Sequence, residues 1–157
     1  MKIKLLAIGK TDDKNLHQFI EVYQKRLQHY IKFELEVIPD IKNAENLSEI
    51  QQKEKEGELI LGKLQNTDQL VLLDDKGKQF TSIEFSQYLQ KKMNAGIKQF
   101  VLVIGGPYGF SDAVYQKAQG KISLSKMTFS HQMIRLFIVE QIYRGFTILK
   151  NEPYHHE

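Results

Sequence analysis

Two stretches of the chain combine residue types that can hold a ligand. The first is Gly105-Gly106-Pro107-Tyr108-Gly109, directly after the apolar run Phe100–Ile104. Glycine lets a backbone take positive φ or approach a ligand closely. The stretch is therefore either a tight turn or a ligand loop. Its spacing is not G-x-G-x-x-G, so the dinucleotide fingerprint is absent. The second stretch is Leu124-Ser125-Lys126-Met127-Thr128-Phe129. Thr128 or Ser130 can cap a helix that follows. The backbone amides and carbonyls of such a loop can equally read the edge of a nucleobase, and nothing local decides between the two. His131 and Arg135 come next, four apart and so on one helix face. Imidazole titrates near neutral pH and guanidinium forks onto oxyanions. A purely structural role suits the pair as well.

Other patterns fail on their spacing. Gly9-Lys10-Thr11 looks like the end of a phosphate loop, but Lys4 stands where the motif needs its first glycine. Asp74 and Asp75 are neighbours on a strand and point to opposite faces, so they cannot act as a carboxylate pair. There is no H-E-x-x-H, and His155 with His156 offers only two contiguous ligands, so no metal is expected. Glu140 and Arg144 stand at i,i+4 in the order that favours an intrahelical ion pair. The polar tail from Asn151 reads as a frayed end.

The elements that must position these residues follow from hydrophobic periodicity. Lys2–Ile8 and Phe33–Ile38 read as strands, with Asp12–Ile31 a helix between them. Asn46–Leu64 reads as a second helix whose charge run, Gln51 to Glu56, is expected to be a solvated face. Gln69–Asp74 is a buried strand. Thr81 and Glu84 form a capping box, with Phe80 and Phe85 as its hydrophobic staple, and a helix follows. Phe100–Ile104 is apolar throughout, as in a strand covered on both faces. A short helix at Ser111–Ala118, a short strand at Lys121–Leu124 and a long helix at Ser130–Leu149 complete the chain. Strands alternating with helices predict an α/β fold with a largely parallel sheet. Ligands of such sheets sit beyond the carboxyl ends of the strands. Those ends are Leu73-Asp74, Gly105-Gly106 and Leu124-Ser125. The last helix is apolar nearly all round, which predicts a core face plus a subunit interface.

Length and composition set the frame. The chain has 157 residues, 41% hydrophobic and 26% charged, which predicts one globular domain over 1–157 and excludes a disordered or fibrous chain. It has no cysteine, so disulfides and cysteine-ligated metal centres are excluded. The net charge of +3 permits a nucleic-acid partner without indicating one. Charges interrupt the apolar stretch from Met133 to Leu149, so no membrane span is expected. Neither is a secretory leader, and the expected location is the cytoplasm.

Taken in order along the chain, these residues resemble one family. They are Lys2-Ile3, Ala7 to Lys10, Tyr23 to Leu27, Gly105 to Gly109, Leu124 to Phe129, His131, Arg135, Glu140 to Arg144 and Pro153-Tyr154-His155. The set resembles the bacterial ribosomal large-subunit methyltransferase H family nearly end to end. The resemblance implies a SPOUT-type α/β knot: one domain, a carboxyl-terminal segment threaded into a trefoil, and a homodimer. It implies methyl transfer from S-adenosylmethionine to N3 of a pseudouridine in 23S rRNA on the assembled ribosome. It also places the cofactor at Leu73, Gly105, Leu124, Ser125, Lys126, Met127, Thr128 and Phe129. Around them, residue type and position make His131 and His155 candidate bases for the N3 proton. On the same grounds Arg135 would hold a phosphate or the imide anion, and Tyr154 would stack on a base or close over the site. A tRNA methyltransferase and a non-catalytic ribosome assembly factor are the rival readings.

Overall fold

Lys2–Ile8 is apolar at five of its seven positions, and such a strand needs cover on both faces. The computed structural model describes residues 1–156 and provides that cover. Along the chain run β1 (Lys2–Ile8), α1 (Lys14–Leu27), β2 (Lys32–Ile38), a 3-10 turn (Ala44–Asn46) and α2 (Glu49–Leu61). Then follow β3 (Gln69–Lys78), α3 (Ser82–Asn94), β4 (Gln99–Ile104), α4 (Asp112–Lys117), β5 (Gly120–Ile122) and α5 (His131–Leu149). The five strands form one parallel sheet in the order β2-β1-β4-β3-β5. Leu5 sits between Leu35 on β2 and Leu102 on β4.

Alternate side chains go to opposite faces of the sheet. Ile3, Leu5, Val71, Phe100 and Leu102 pack under α1, α3 and α5. Leu6, Leu70, Leu72, Val101 and Val103 pack under the α2–α4 side. The result is a three-layer α/β arrangement with the apolar side chains of β1 and β4 buried.

Five features differ from the sequence expectation. α1 stops at Leu27 rather than Ile31, because successive tight turns close there (Tyr30 N–H to Leu27 O, 2.9 Å) and swing Ile31 into the core. α2 starts at Glu49, not Asn46, because Ser48 and Gln51 make a reciprocal capping box. Its charge run is not wholly solvated: Glu56 is only 3% exposed. β3 runs on to Lys78 while β5 ends at Ile122. The polar segment from Asp74 carries no strand signal of its own; it is held because Ile122 pairs with both Leu73 and Lys78, and Ser123 N–H bonds Lys78 O at 3.0 Å. Finally, the tail does not fray. Asn151 takes a left-handed turn (φ 55°), and Glu152 N–H returns to Thr147 O at 2.9 Å. The ring of Tyr154 then stands edge-on to Tyr143 at 4.8 Å. The Thr81–Glu84 capping box forms as expected.

Candidate functional site

Where β3 parts from β4 after Leu73, and beyond the carboxyl ends of β4 and β5, lies a cleft of about 430 Å³. That volume falls in the usual range for small-molecule sites. Leu73 and Asp74 supply one wall, Gly105 to Phe110 a second, and Ser123 to Phe129 a third, with His131 and Ile134 at the start of α5. Seven of the eight residues expected to bind the cofactor meet here: Leu73, Gly105, Leu124, Ser125, Met127, Thr128 and Phe129. Lys126 is exposed and stands outside the lining.

Local hydrogen bonds shape the walls. Ser123 donates its hydroxyl to Ser125 O at 2.8 Å, and Ser125 Oγ accepts Met127 N–H at 2.9 Å, which tightens the third wall into a turn. Ser130, not Thr128, caps α5, accepting Met133 N–H at 3.2 Å. The glycine loop closes through Gly109 N–H to Gly106 O at 3.2 Å, and the Phe110 ring lies against Gly105. A smaller cavity of about 300 Å³ lies on the far side of the segment Ile122–Phe129, between Phe80 and Phe137. Phe129 meets Phe137 edge-on at 5.0 Å. The segment is thus a partition between two hollows.

Asp74 and Tyr115 were not foreseen as partners. Tyr115 donates its hydroxyl to Asp74 Oδ2 at 2.6 Å, and Lys76 N–H donates to Oδ1 at 2.8 Å. Burial pushes the Asp74 carboxyl up, but these bonds outweigh it and hold the group below the ordinary aspartate range. Burial, aided by Asp74, raises the Tyr115 phenol to about 12. The cleft therefore carries a fixed negative charge on the β3 side. Strand-end position marked Asp74 in the sequence; Tyr115, forty-one residues away, had no local signal.

The four expected catalytic residues do not share one place. His131 lies on the cleft. Arg135 is fully buried. Its Nη2 donates to Ile8 O at 2.7 Å and its Nη1 to Thr11 Oγ1 at 3.2 Å. Burial lowers its pKa, against the pull of Asp12 and Asp40. Arg135 thus ties the first turns of α5 to the end of β1, and Gln132 adds a bond to Lys10 O at 3.0 Å. Tyr154 and His155 sit further along α5. The Tyr154 hydroxyl donates to Glu140 Oε1 at 3.0 Å and lies 3.3 Å from that of Tyr23. Burial, Tyr23 and Glu140 all push the Tyr154 phenol up. Arg144 stacks over the Tyr154 ring at 4.6 Å, contacts His155 Nδ1 at 3.3 Å and bonds Glu140 at 2.7 Å, completing the expected ion pair. Glu140 lies nine residues beyond His131, about 14 Å at the helical rise. Neither Tyr154 nor His155 reaches this chain's own cleft.

A family model described as "Predicted SPOUT methyltransferase" matches residues 1–155. The chain belongs to the SPOUT methyltransferase family. Within that family it is 71% identical, over the full length of both chains, to a protein of Flavobacterium johnsoniae named Ribosomal RNA large subunit methyltransferase H. It is 72% identical, again end to end, to a protein of the same name from Flavobacterium psychrophilum, and 68% identical to one from Parabacteroides distasonis. Among solved structures, a probable methylase family protein from Haemophilus influenzae superposes with a TM-score of 0.50 at 13% identity. That match covers 99% of this chain and 70% of that one, and the likeness shows the fold alone. A parallel sheet opening a cleft beyond its carboxyl ends is how this SPOUT chain builds its pocket. Among the described residues no group of acids and histidines is placed to hold a metal, and no helix is long and apolar enough to cross a membrane.

Proposed function

We propose that this chain methylates N3 of a pseudouridine in 23S rRNA, using S-adenosylmethionine, as a homodimer acting on the assembled ribosome. The observation that carries the reading is the cleft itself, which gathers Leu73, Gly105 and most of the loop from Leu124 to Phe129 in a chain of this family. Its volume suits a nucleoside-sized ligand, and Gly105 leaves the β4 end free of side chain. Asp74 supplies a carboxylate to a pocket whose occupant would be cationic. Leu73, Gly105 and the loop would hold the cofactor, which supplies an activated methyl group.

The remaining chemistry belongs to the chain. Transfer depends on alignment of the target nitrogen, so the rigid walls matter more than any acid. His131, at the cleft rim, accepts the N3 proton at a ring nitrogen. Arg135 is sealed from any phosphate, so its part is to hold the start of α5 where His131 stands. Tyr154 and His155 contribute only if a second copy brings its cleft to them, which the homodimer supplies. Exposed apolar side chains on α1 (Phe19, Val22) and α5 (Met133) favour such a partner surface. With rRNA as substrate, the protein works in the cytoplasm.

The test is calorimetric titration with S-adenosylmethionine alongside light-scattering mass, followed by nucleoside analysis of methylated ribosomes, naked 23S rRNA and tRNA. Binding by a dimer, with N3-methylpseudouridine formed best on ribosomes, is expected. A tRNA product, or absence of cofactor binding with and without ribosomes, overturns the reading.

A further inference from the structure

Glu56 lies outside the cleft wall, yet it is 3% exposed and has one carboxyl oxygen, Oε2, without a hydrogen-bond partner. Oε1 accepts from Gln52 Nε2 at 2.9 Å. The carboxyl lies against Gly106: a Cβ placed on that glycine would stand 2.4 Å from Oε2 and 2.7 Å from Oε1. The next residue makes the reciprocal contact. A Cβ on Gly57 would stand 2.2 Å from Ser111 Oγ, and Ser111 is the cap that starts α4. One turn of α2 thus presses on both ends of the glycine loop, each time with a glycine facing a polar side chain.

We propose that Glu56 is a positioning residue for the cofactor loop, its carboxyl setting where the Gly106 backbone lies at the edge of the cleft. This rests on the cofactor reading of that cleft. An apolar side chain would fill the space but leave Gln52 unpaired and offer the loop no polar atom. Burial pushes the Glu56 carboxyl up, with nearby Asp40 acting in the same direction against Gln52 and His131. The geometry is that of a buried carboxyl with one oxygen free, held against the Gly106 backbone.

Wild-type protein is titrated with S-adenosylmethionine first, and absence of binding would count against the methyltransferase reading rather than against Glu56. Glu56→Ala is expected to raise the cofactor Kd and KM about tenfold while kcat at saturation changes less than about threefold. Glu56→Gln, which keeps the shape and the partner for Gln52, is expected to stay within about twofold of wild type. Gly106→Ala should also weaken binding, and less so in the Glu56→Ala background, where the added methyl has room; this non-additivity marks direct contact. If Glu56→Ala does not fold, Glu56→Gln and Gly106→Ala carry the test. Unchanged cofactor affinity in folded Glu56→Ala, strictly additive effects in the cycle, or a Glu56→Gln defect as large as that of alanine would each overturn the proposal.

Discussion

Replacing Gly77 by alanine probes the place where the chain closes on itself. Gly77 lies in the extension of β3, and an ideal Cβ there would stand 2.5 Å from both the backbone N and the backbone C of Ile122. Comfortable carbon contacts are about 3.5–4.0 Å, so the strands must part by about 1 Å. Neither side can yield by a rotamer change, because the obstacle is main chain held by pairing to Leu73 and Lys78. Overpacking a well-filled site costs about 1–3 kcal/mol, occasionally more, and a backbone obstacle belongs at the upper end. Alanine's entropic benefit over glycine in the unfolded chain offsets only about 0.4–1 kcal/mol of this. A net loss of about 2–3 kcal/mol is expected, lowering Tm by roughly 4–12 °C for a chain of this size. Gly96→Ala is the control: φ there is 71° with nothing within 4 Å, so backbone strain alone costs about 1–2 kcal/mol. The assay is urea denaturation of both variants with cofactor affinity measured in parallel. Ile122 leads into the Ser123–Phe129 wall, so Gly77→Ala should lose affinity and Gly96→Ala should not. Stability of Gly77→Ala within about 0.5 kcal/mol of wild type, a size usual for neutral surface changes, would refute the reasoning.

Arg135→Met should cost about 1–3 kcal/mol, because it removes the guanidinium bonds to Ile8 O and Thr11 and strands a buried carbonyl; thermal melts check this, and a loss under about 0.5 kcal/mol would contradict the anchoring role. His131→Ala should lower kcat by roughly 10²-fold with cofactor affinity kept, and alkaline pH should recover part of the rate as N3 loses its proton to solvent; single-turnover rates across pH decide it, with a change under about twofold counting against the base. Glu56 should make stability fall as pH rises: its folded pKa is raised, so its contribution is fully present below the unfolded value of about 4.3 and is lost as pH climbs through the folded one. Glu56→Gln should therefore gain on wild type from acid towards neutral pH in denaturation curves, and a constant gap would contradict the burial. Asp74 has the opposite sign, its lowered pKa giving stability above about pH 4 that fades as acid protonates it. Asp74→Asn should accordingly lie closer to wild type at pH 3 than at pH 7, and parallel denaturation profiles would contradict it.

The order of elements was legible because its signals are local. The apolar run Phe100–Ile104 and the Thr81–Glu84 box each span no more than a few residues. Glu56 was misread because Lys53, Glu54 and Lys55 look the same in composition; Ile60, four residues on and buried, was the available clue that this side of α2 faces inward. The cofactor residues were legible only as a family pattern, since the loop from Leu124 to Phe129 reads locally as a helix cap as much as a ligand loop.

By itself the sequence determined a cysteine-free α/β chain, the alternation of strands and helices that puts Gly105 just after β4, and the family its residues resemble. Tertiary structure alone decided which of the candidates meet. It brought His131 to the cleft, sealed Arg135 behind it and laid Tyr154 and His155 on the far turns of α5. It also bound the polar end of β3 to Ile122 and set Tyr115 on Asp74. These contacts join residues tens of positions apart, and their energies come from burial and pairing in three dimensions, to which a local pattern of residue types is blind.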